Sequence, residues 1–238
     1  MPAQAPGISS GRLNPFPNPF IWYERTMRKL PVYLLLDTSG SMNGEPIESV
    51  RNGMQTLLSA LRQDPHAIES AWLSVITFSD TAKQLTPLTE LGQFQMPAIS
   101  ASGTTAMGAA LSLLAERVGQ EVTKTTADQK GDWKPIVFMM TDGDPTDDLA
   151  AGIAAIKAAR LGTVIACAAG PNANVRELQR ITESVVRLDT ADSNTIRAFF
   201  KWVSASIATT SQKIDLTKKD ANGLADLPPP PPEVNVVL

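Results

Sequence analysis

The sequence is poor in the residues that support disulfide, thiol and imidazole chemistry. Its 238 residues include one cysteine, Cys167, and one histidine, His66. One cysteine cannot form a disulfide within the chain and gives no basis for a cysteine-rich metal site. Cys167 lies in an apolar, strand-like run, and His66 follows a proline in a turn-like stretch. We therefore interpret Cys167 as a small buried residue and His66 as a surface residue, not as a nucleophile and a base.

Long hydrophobic runs and an excess of positive charge are also missing. No stretch approaches the ~18 apolar residues that a membrane-spanning helix needs. The first residues have no apolar core of the signal-peptide type. The formal net charge is −3, which gives no reason to expect nucleic acid or a membrane as a partner. We expect a cytoplasmic protein with a sizeable core, because 43% of its residues are hydrophobic and 19% are charged.

The chain divides into three segments by composition. Residues 1–29 are predicted to form an irregular arm, because the prolines between residues 15 and 19 prevent a helix. Residues 30–208 have the regular hydrophobic pattern of a folded domain. Residues 209–238 are predicted to be a flexible linker followed by a stiff proline-rich tail, since the apolar periodicity stops after Ala208.

Both extensions allow two interpretations. In the first segment, Met27 could be the natural start, with the preceding residues non-native. The alternative is an arm whose aromatic side chains pack on the domain or on a neighbour. Three valines, Val234, Val236 and Val237, follow Pro228–Pro232 near the end of the tail. We favour a docking function for it, or a strand added to a partner's sheet, over a simple spacer.

Strands and helices alternate through the middle segment. Short apolar runs such as Val32–Leu36 and Pro135–Met140 are typical of buried parallel strands. Between them, apolar residues recur every three or four positions, which predicts amphipathic helices. The run Thr81–Leu88 could pair through a tight turn with the strand before it, as an antiparallel edge. The pattern predicts an α/β fold with a doubly wound, mostly parallel sheet, one antiparallel edge strand and helices on both faces.

A group of oxygen-bearing side chains follows the first predicted strand. The stretch is Asp37-Thr38-Ser39-Gly40-Ser41. One carboxylate and two hydroxyls stand at alternate positions, and the glycine allows a tight turn between them. Ligands of doubly wound sheets bind at the carboxyl ends of the strands, where this loop must lie. Hard oxygen donors suit Mg²⁺, or otherwise Mn²⁺ or Ca²⁺, so the loop predicts a divalent-cation site.

Two further residues fall at matching places along the pattern. Thr105 stands at the start of the predicted second helix, and Asp142 follows the strand Pro135–Met140. Taken alone, Thr105 could cap the helix and Asp142 could belong to a turn. Both would nevertheless lie on the same rim of the sheet as Asp37. Asp144 is interpreted separately, as the N-cap of the next helix, because proline follows it.

These three stretches together resemble the metal-ion-dependent adhesion site (MIDAS) of von Willebrand factor A domains. The likeness covers roughly residues 30–208 in order and spacing, through Asp37–Ser41, Gly103–Gly108 and Thr141–Gly143. Thr104 stands where the family usually has glycine. The resemblance implies an α/β fold of the Rossmann-like type and a bound divalent cation.

The resemblance also implies a role for each residue. Ser39, Ser41 and Thr105 would supply hydroxyl oxygens directly, and Asp37 and Asp142 would act directly or through water. The remaining coordination position would accept an acidic group, a carboxylate or a phosphate, from a partner protein. The few carboxylates leave the ion incompletely neutralised, so an incoming anion would be attracted to it.

Within the family, the chain looks closest to the TerY type of tellurium-resistance proteins. The stretches Leu30–Asp37, Gly44–Val50 and Phe199–Ser206 carry this likeness, together with the proline-rich ending. It implies a bacterial stress-response protein that acts beside a Ser/Thr kinase and a PP2C-type phosphatase.

We expect a binding module and not an enzyme. The alternative is a metal-dependent hydrolase or phosphatase, because a cation with an open position can activate water. Against it, Ser39 replaces the second aspartate of a haloacid-dehalogenase-type nucleophile pair, and no glycine-rich phosphate loop with lysine is present. A third interpretation, a substrate of a neighbouring kinase, is compatible with the first.

Overall fold

The structure is a computed structural model that describes residues 28–217, 219–220 and 223–237. The first 27 residues, on which the predictions for the arm and for Met27 fall, lie outside the described part. The strands are β1 (Leu30–Asp37), β2 (Ala71–Phe78), β3 (Ala82–Glu90), β4 (Ile136–Thr141), β5 (Thr163–Ala169), β6 (Val185–Leu188) and β7 (Asn235–Val237). The α-helices are α1 (Glu45–Leu61), α2 (Pro65–Ser70), α3 (Met107–Glu121), α4 (Leu149–Ala158), α5 (Val175–Ile181) and α6 (Ser193–Thr217).

The strands form one sheet in the order β3-β2-β1-β4-β5-β6-β7. Strands β2, β1, β4, β5 and β6 are parallel, and β3 and β7 pair antiparallel at the two edges. This confirms the predicted class, a mostly parallel sheet flanked by helices. The prediction of one antiparallel edge strand was incomplete, because the C-terminal strand forms the second edge.

The sheet separates two hydrophobic layers, as the alternation of side chains along β1 shows. Leu34 and Leu36 pack on one face with α1, α2 and α6, while Tyr33 and Leu35 pack on the other with α3, α4 and α5. Every residue of β1 is buried. A strand covered on both faces needs a continuous apolar run, which explains why its sequence does not alternate between apolar and polar residues.

The last helix is longer than the sequence predicts. Helix α6 continues past Ala208 to Thr217, so the first part of residues 209–227 is helical and not linker. Its buried face continues with Thr210, Ser211 and Ile214. The Thr210 hydroxyl donates to the carbonyl oxygen of Ser206 at 2.8 Å, which satisfies a polar group inside the core. The buried face of α6 thus continues through small residues with hydroxyl groups, and a search for apolar periodicity does not detect them.

The proline-rich tail returns to the domain. The Trp202 indole donates to the carbonyl oxygen of Pro228 at 2.8 Å, and Leu227 and Val234 are buried. The chain then forms β7, which pairs with β6 through Val236 and Val186. The strand addition considered from the sequence therefore occurs within the same molecule.

The start of α4 differs from the prediction. The helix begins at Leu149, and its N-cap is Asp148, whose carboxylate accepts from the backbone N–H groups of Ala150 and Ala151. Asp144 lies four residues before this N-cap, in the loop after β4, because the chain first passes the amino-terminal end of α3.

No described helix has the length and apolarity of a membrane span.

Helices α3 and α4 approach each other through two glycines. A methyl group on Gly108 would lie 2.2 Å from the carbonyl oxygen of Asp148, and one on Gly152 would lie 2.5 Å from that of Gly108. Backbone at such distances cannot yield as a flexible side chain can. The contact sets the separation between the start of α3 and the loop that follows β4.

We predict opposite effects for two alanine substitutions in α3. Gly108→Ala should lower the free energy of unfolding by about 1–3 kcal/mol, since α4 must move. Gly119→Ala, on the same helix with no heavy atom within 4 Å of the added methyl group, should be neutral or stabilising by up to about 1 kcal/mol. Urea unfolding of both variants measures the difference. Equal stability of the two variants would contradict the glycine contact.

Candidate metal centre

The two central strands bring the predicted site residues to one end of the sheet. Strands β1 and β4 pair in parallel with Leu36 opposite Met140, so Asp37 and Thr141 end their strands side by side. The Thr141 hydroxyl donates to the Asp37 carboxylate, and Gly143 donates to the Thr141 hydroxyl oxygen at 3.3 Å. Strand pairing alone brings Asp37 and Thr141 together, although they lie about a hundred residues apart in the sequence.

The loop after β1 folds its oxygens towards the loop after β4. The backbone N–H of Ser39 donates to Asp37 Oδ1 at 2.8 Å, and a 3₁₀ turn over Gly40–Met42 follows. The hydroxyl oxygens of Ser39 and Ser41 are 3.0 Å apart, and Ser41 donates to Asp142 Oδ1 at 2.7 Å. Four of the five predicted site residues thus form one hydrogen-bonded group.

Thr105 reaches the site from the third loop. It is buried and lies two residues before α3, which begins at Met107, so it precedes the helix instead of opening it. Its backbone N–H donates to the Thr146 hydroxyl at 3.0 Å, and its carbonyl oxygen accepts from Thr146 N at 2.9 Å. Its own hydroxyl faces the loop after β4, 3.5 Å from where a methyl group on Gly143 would lie.

The two carboxylates have no positively charged partner among the described residues. Asp37 is fully buried and Asp142 partly so, and burial raises the pKa of both carboxyls, against the hydrogen bonds from Thr141, Ser39 and Ser41 that lower it. Asp142 further raises the pKa of Asp37 by charge repulsion. The ion pairs between described residues all lie elsewhere in the molecule. A buried carboxylate without a cation is costly.

The donor set fits a hard divalent cation. Adjacent ligand oxygens of octahedral Mg²⁺, each at about 2.1 Å from the ion, lie about 3 Å apart. The Ser39–Ser41 and Ser41–Asp142 oxygen pairs are separated by 3.0 and 2.7 Å. The described residues contain no cluster of three or more histidine, cysteine or acidic side chains. A metal here would therefore be held largely by hydroxyls, which suits Mg²⁺ better than zinc.

The loop that contains Ser102 and Gly103 is hydrogen-bonded to the loop after β1. Gly40 N donates to the carbonyl oxygen of Gly103 at 2.9 Å, and Ser102 N donates to that of Thr38 at 2.8 Å. Gly103 has a φ of 78°, and a methyl group there would lie 2.5 Å from the Asp80 carboxylate. Both constraints, the left-handed backbone and the close side chain, require glycine.

Three supporting residues were not identified from the sequence. Asp80 accepts from the backbone N–H and hydroxyl of Thr104 at 2.9 and 3.0 Å, which lowers the pKa of its carboxyl. Asp147 accepts from Gly108 N and Ala109 N at the start of α3, and Thr141 bonds Asp37. Each contact crosses between distant segments, so local spacing carries no signal for it.

The comparison with family models decides the family. The model of the von Willebrand factor type A domain matches residues 32–202, which is most of the chain. The chain belongs to this family. The matched range contains all three loops of the candidate centre, so the sequence resemblance to the A domain is confirmed at family level.

Solved structures show the same fold at low sequence identity. Proximal thread matrix protein 1 from the mussel byssus superposes with a TM-score of 0.58 and 21% identity, over 76% of this chain and 48% of that one. A von Willebrand factor type A protein from Catenulispora acidiphila gives 0.58 and 18%, over 76% and 43%. The PilB minor pilin from Streptococcus sanguinis gives 0.60 and 13%, over 80% and 63%.

These neighbours share the fold and are longer proteins. The A-domain chain spans about half the length of the first two, the mussel protein and the Catenulispora protein. No curated protein sequence matches the chain. The comparisons therefore establish the family and the fold of the chain.

The one histidine and the one cysteine of this A domain lie away from the centre. His66 belongs to α2, directly before β2, and thus sits at the amino ends of the strands. Cys167 is fully buried in β5, and burial raises the pKa of its thiol. Neither can serve as a base or nucleophile for a ligand bound at Asp37.

We predict that a side chain at Gly103, in the loop beside the candidate metal centre, lowers the stability of the domain. Gly103→Ala and Gly44→Ala both place alanine in a sparsely populated backbone region at positive φ, which costs about 1–3 kcal/mol. Gly44 has no heavy atom within 4 Å of an added methyl group, whereas Gly103 meets Asp80. Gly103→Ala should therefore destabilise the domain more in chemical unfolding. Equal losses in the two variants would show that Asp80 yields freely.

Proposed function

We propose that this A domain is a metal-dependent protein-binding module. A divalent cation, Mg²⁺ in the first place and Mn²⁺ or Ca²⁺ otherwise, binds at the loop after β1. Ser39, Ser41 and Thr105 supply hydroxyl oxygens to it, and Asp37 and Asp142 act directly or through water. A partner protein completes the coordination with an acidic group.

The observation that carries this proposal is the uncompensated pair of carboxylates beside three hydroxyl-bearing residues. Asp37 and Asp142 are both at least partly buried and have no cationic partner among the described residues. A divalent cation would supply the missing positive charge. Where the two carboxylates act through water, the direct ligands are neutral hydroxyls, and the bound cation keeps an open position for an anionic oxygen.

The exposure of the site favours a partner over a small enclosed substrate. Asp37, Ser39 and Thr105 are buried, while Ser41 is exposed and Asp142 is partly exposed. The cation would therefore sit at the protein surface with one side towards solvent. That side would be open to an acidic side chain of a second protein.

The cellular setting belongs to the same proposal. The stretches Leu30–Asp37 and Gly44–Val50 support a place in a bacterial stress or tellurite-resistance system of the TerY type. A Ser/Thr kinase and a PP2C-type phosphatase are the partners that this likeness suggests, and the cytoplasm is the location.

The hydrolase alternative has no supporting observation at this site. A general base within hydrogen-bonding reach would favour attack by a metal-bound water. The carboxylates at the centre would themselves face the cation, and the histidine is at the opposite end of the sheet. We therefore assign the cation a binding role.

We predict that Mg²⁺ raises the melting temperature of the protein. Binding to the folded state alone stabilises it by about 2.7 kcal/mol when Mg²⁺ is at a hundredfold excess over Kd. Asp37→Asn and Asp142→Asn should abolish this shift, because each removes a charge at the centre. Asp144→Asn, an exposed carboxylate in the same loop, should keep it. An unchanged shift in Asp37→Asn would place the metal elsewhere.

We predict further that Asp37→Ala abolishes capture of the partner without unfolding the domain. The measurement is a pull-down from the native host, with and without EDTA, followed by identification of retained proteins. Asp144→Ala is the matched control. Partner binding that persists in EDTA would contradict the proposed role of the cation. Phosphatase activity that needs Mg²⁺ and Asp37 would favour the hydrolase instead.

A further inference from the structure

A second charged feature lies at the amino ends of the strands, opposite the metal centre. Arg28 precedes β1, and Lys134 precedes β4. Together with Lys130, Lys213 and Lys219 they line one open cavity of about 590 Å³. We propose that this basic cavity binds a phosphate-bearing anion.

The cavity has a positive formal charge, whereas the whole chain has a negative net charge. Its lining has five side-chain cations and two carboxylates, Asp220 and Asp226, which leaves a formal excess of three positive charges. The complete sequence has a net charge of −3. Positive charge concentrated in a concave surface of an acidic protein raises the local concentration of anions.

The two carboxylates of the cavity already have partners. Asp226 forms an ion pair with Lys213, and Asp220 accepts from the backbone N–H of Lys134 at 3.0 Å. Lys130, Lys134 and Lys219 are exposed, and none of them forms an ion pair with another described residue. Their ammonium groups, each with three donors, are available to an incoming anion.

Arg28 forms a fixed wall of the cavity. Its Nε donates to the carbonyl oxygen of Gly131 at 2.6 Å, and its guanidinium carbon lies 3.5 Å from the centre of the Trp133 ring. This contact covers one face of the indole, and Trp133 is buried, so it offers no free surface on which a nucleobase could stack. Recognition in this cavity therefore depends on charge and hydrogen bonding.

The size and chemistry of the cavity suit an anion that carries one or more phosphate groups. Its volume falls within the range of about 300–1,000 Å³ typical of ligand pockets. Lysines act towards phosphate as point charges, without the paired geometry that arginine imposes on a single group. The ligand is thus an oligophosphate or a phosphorylated protein segment, which share this chemistry. The cavity shares no residue with the metal centre, so its function does not depend on the proposed cation.

Calorimetric titration of the full chain tests this proposal. Tripolyphosphate and a phosphothreonine peptide are titrated separately at low salt in EDTA, which removes any contribution of bound metal. We expect at least one of them to bind, with affinity falling as salt rises. Lys130→Glu combined with Lys219→Glu should weaken that binding by about tenfold or more.

A matched double variant controls for the overall change in charge. Lys83→Glu combined with Lys157→Glu alters the net charge equally, on β3 and α4, and should leave the affinity nearly unchanged. Binding of tripolyphosphate alone identifies a small anion as the source of the phosphate, and binding of the phosphopeptide but not its unphosphorylated form identifies a protein segment. Binding of neither probe, or equal weakening by both double variants, would overturn the proposal.

Discussion

The burial of one carboxylate, that of Asp37, governs the end of the sheet where the candidate site lies. A carboxylate that leaves water needs donors and positive charge to offset the loss of hydration. Ser39 N and the Thr141 hydroxyl supply the donors. Positive charge from a side chain is absent among the described residues around it, and this absence is the basis of the proposed cation.

The packing of the domain is arranged so that three distant loops can meet. Parallel pairing of β1 with β4 joins Asp37 to Thr141, and the glycine contact between α3 and α4 sets the distance of Thr105 from Gly143. The opposite end of the sheet has a basic surface with a different construction, in which Arg28 rests on Trp133. The two ends thus differ in charge, and our two proposals place a different anionic partner at each: an acidic group bound through a metal at one end, and phosphate bound by lysines at the other.

Much of the fold was predictable because apolar periodicity reports burial directly. Strands β1 and β4 overlap the predicted runs Val32–Leu36 and Pro135–Met140, and β3 is the antiparallel edge that the pattern suggested. The predictions were wrong where the buried residues are polar, or where a strand pairs with a segment distant in the sequence. The buried face of α6 continues through Thr210 and Ser211, which resemble linker residues by composition. Strand β7 is short and pairs with a strand about fifty residues earlier in the chain.

The sequence by itself predicted the family, the class of the fold and five candidate ligands, because strand ends and oxygen-bearing loops recur in a fixed order along an α/β chain. Only the tertiary structure decided that Asp37 is fully buried and that Asp147 caps α3 instead of its own helix. It also brought the proline-rich tail onto Trp202. Burial, capping across helices and strand pairing all join residues far apart in sequence, and no local pattern of side chains encodes which distant segments will meet.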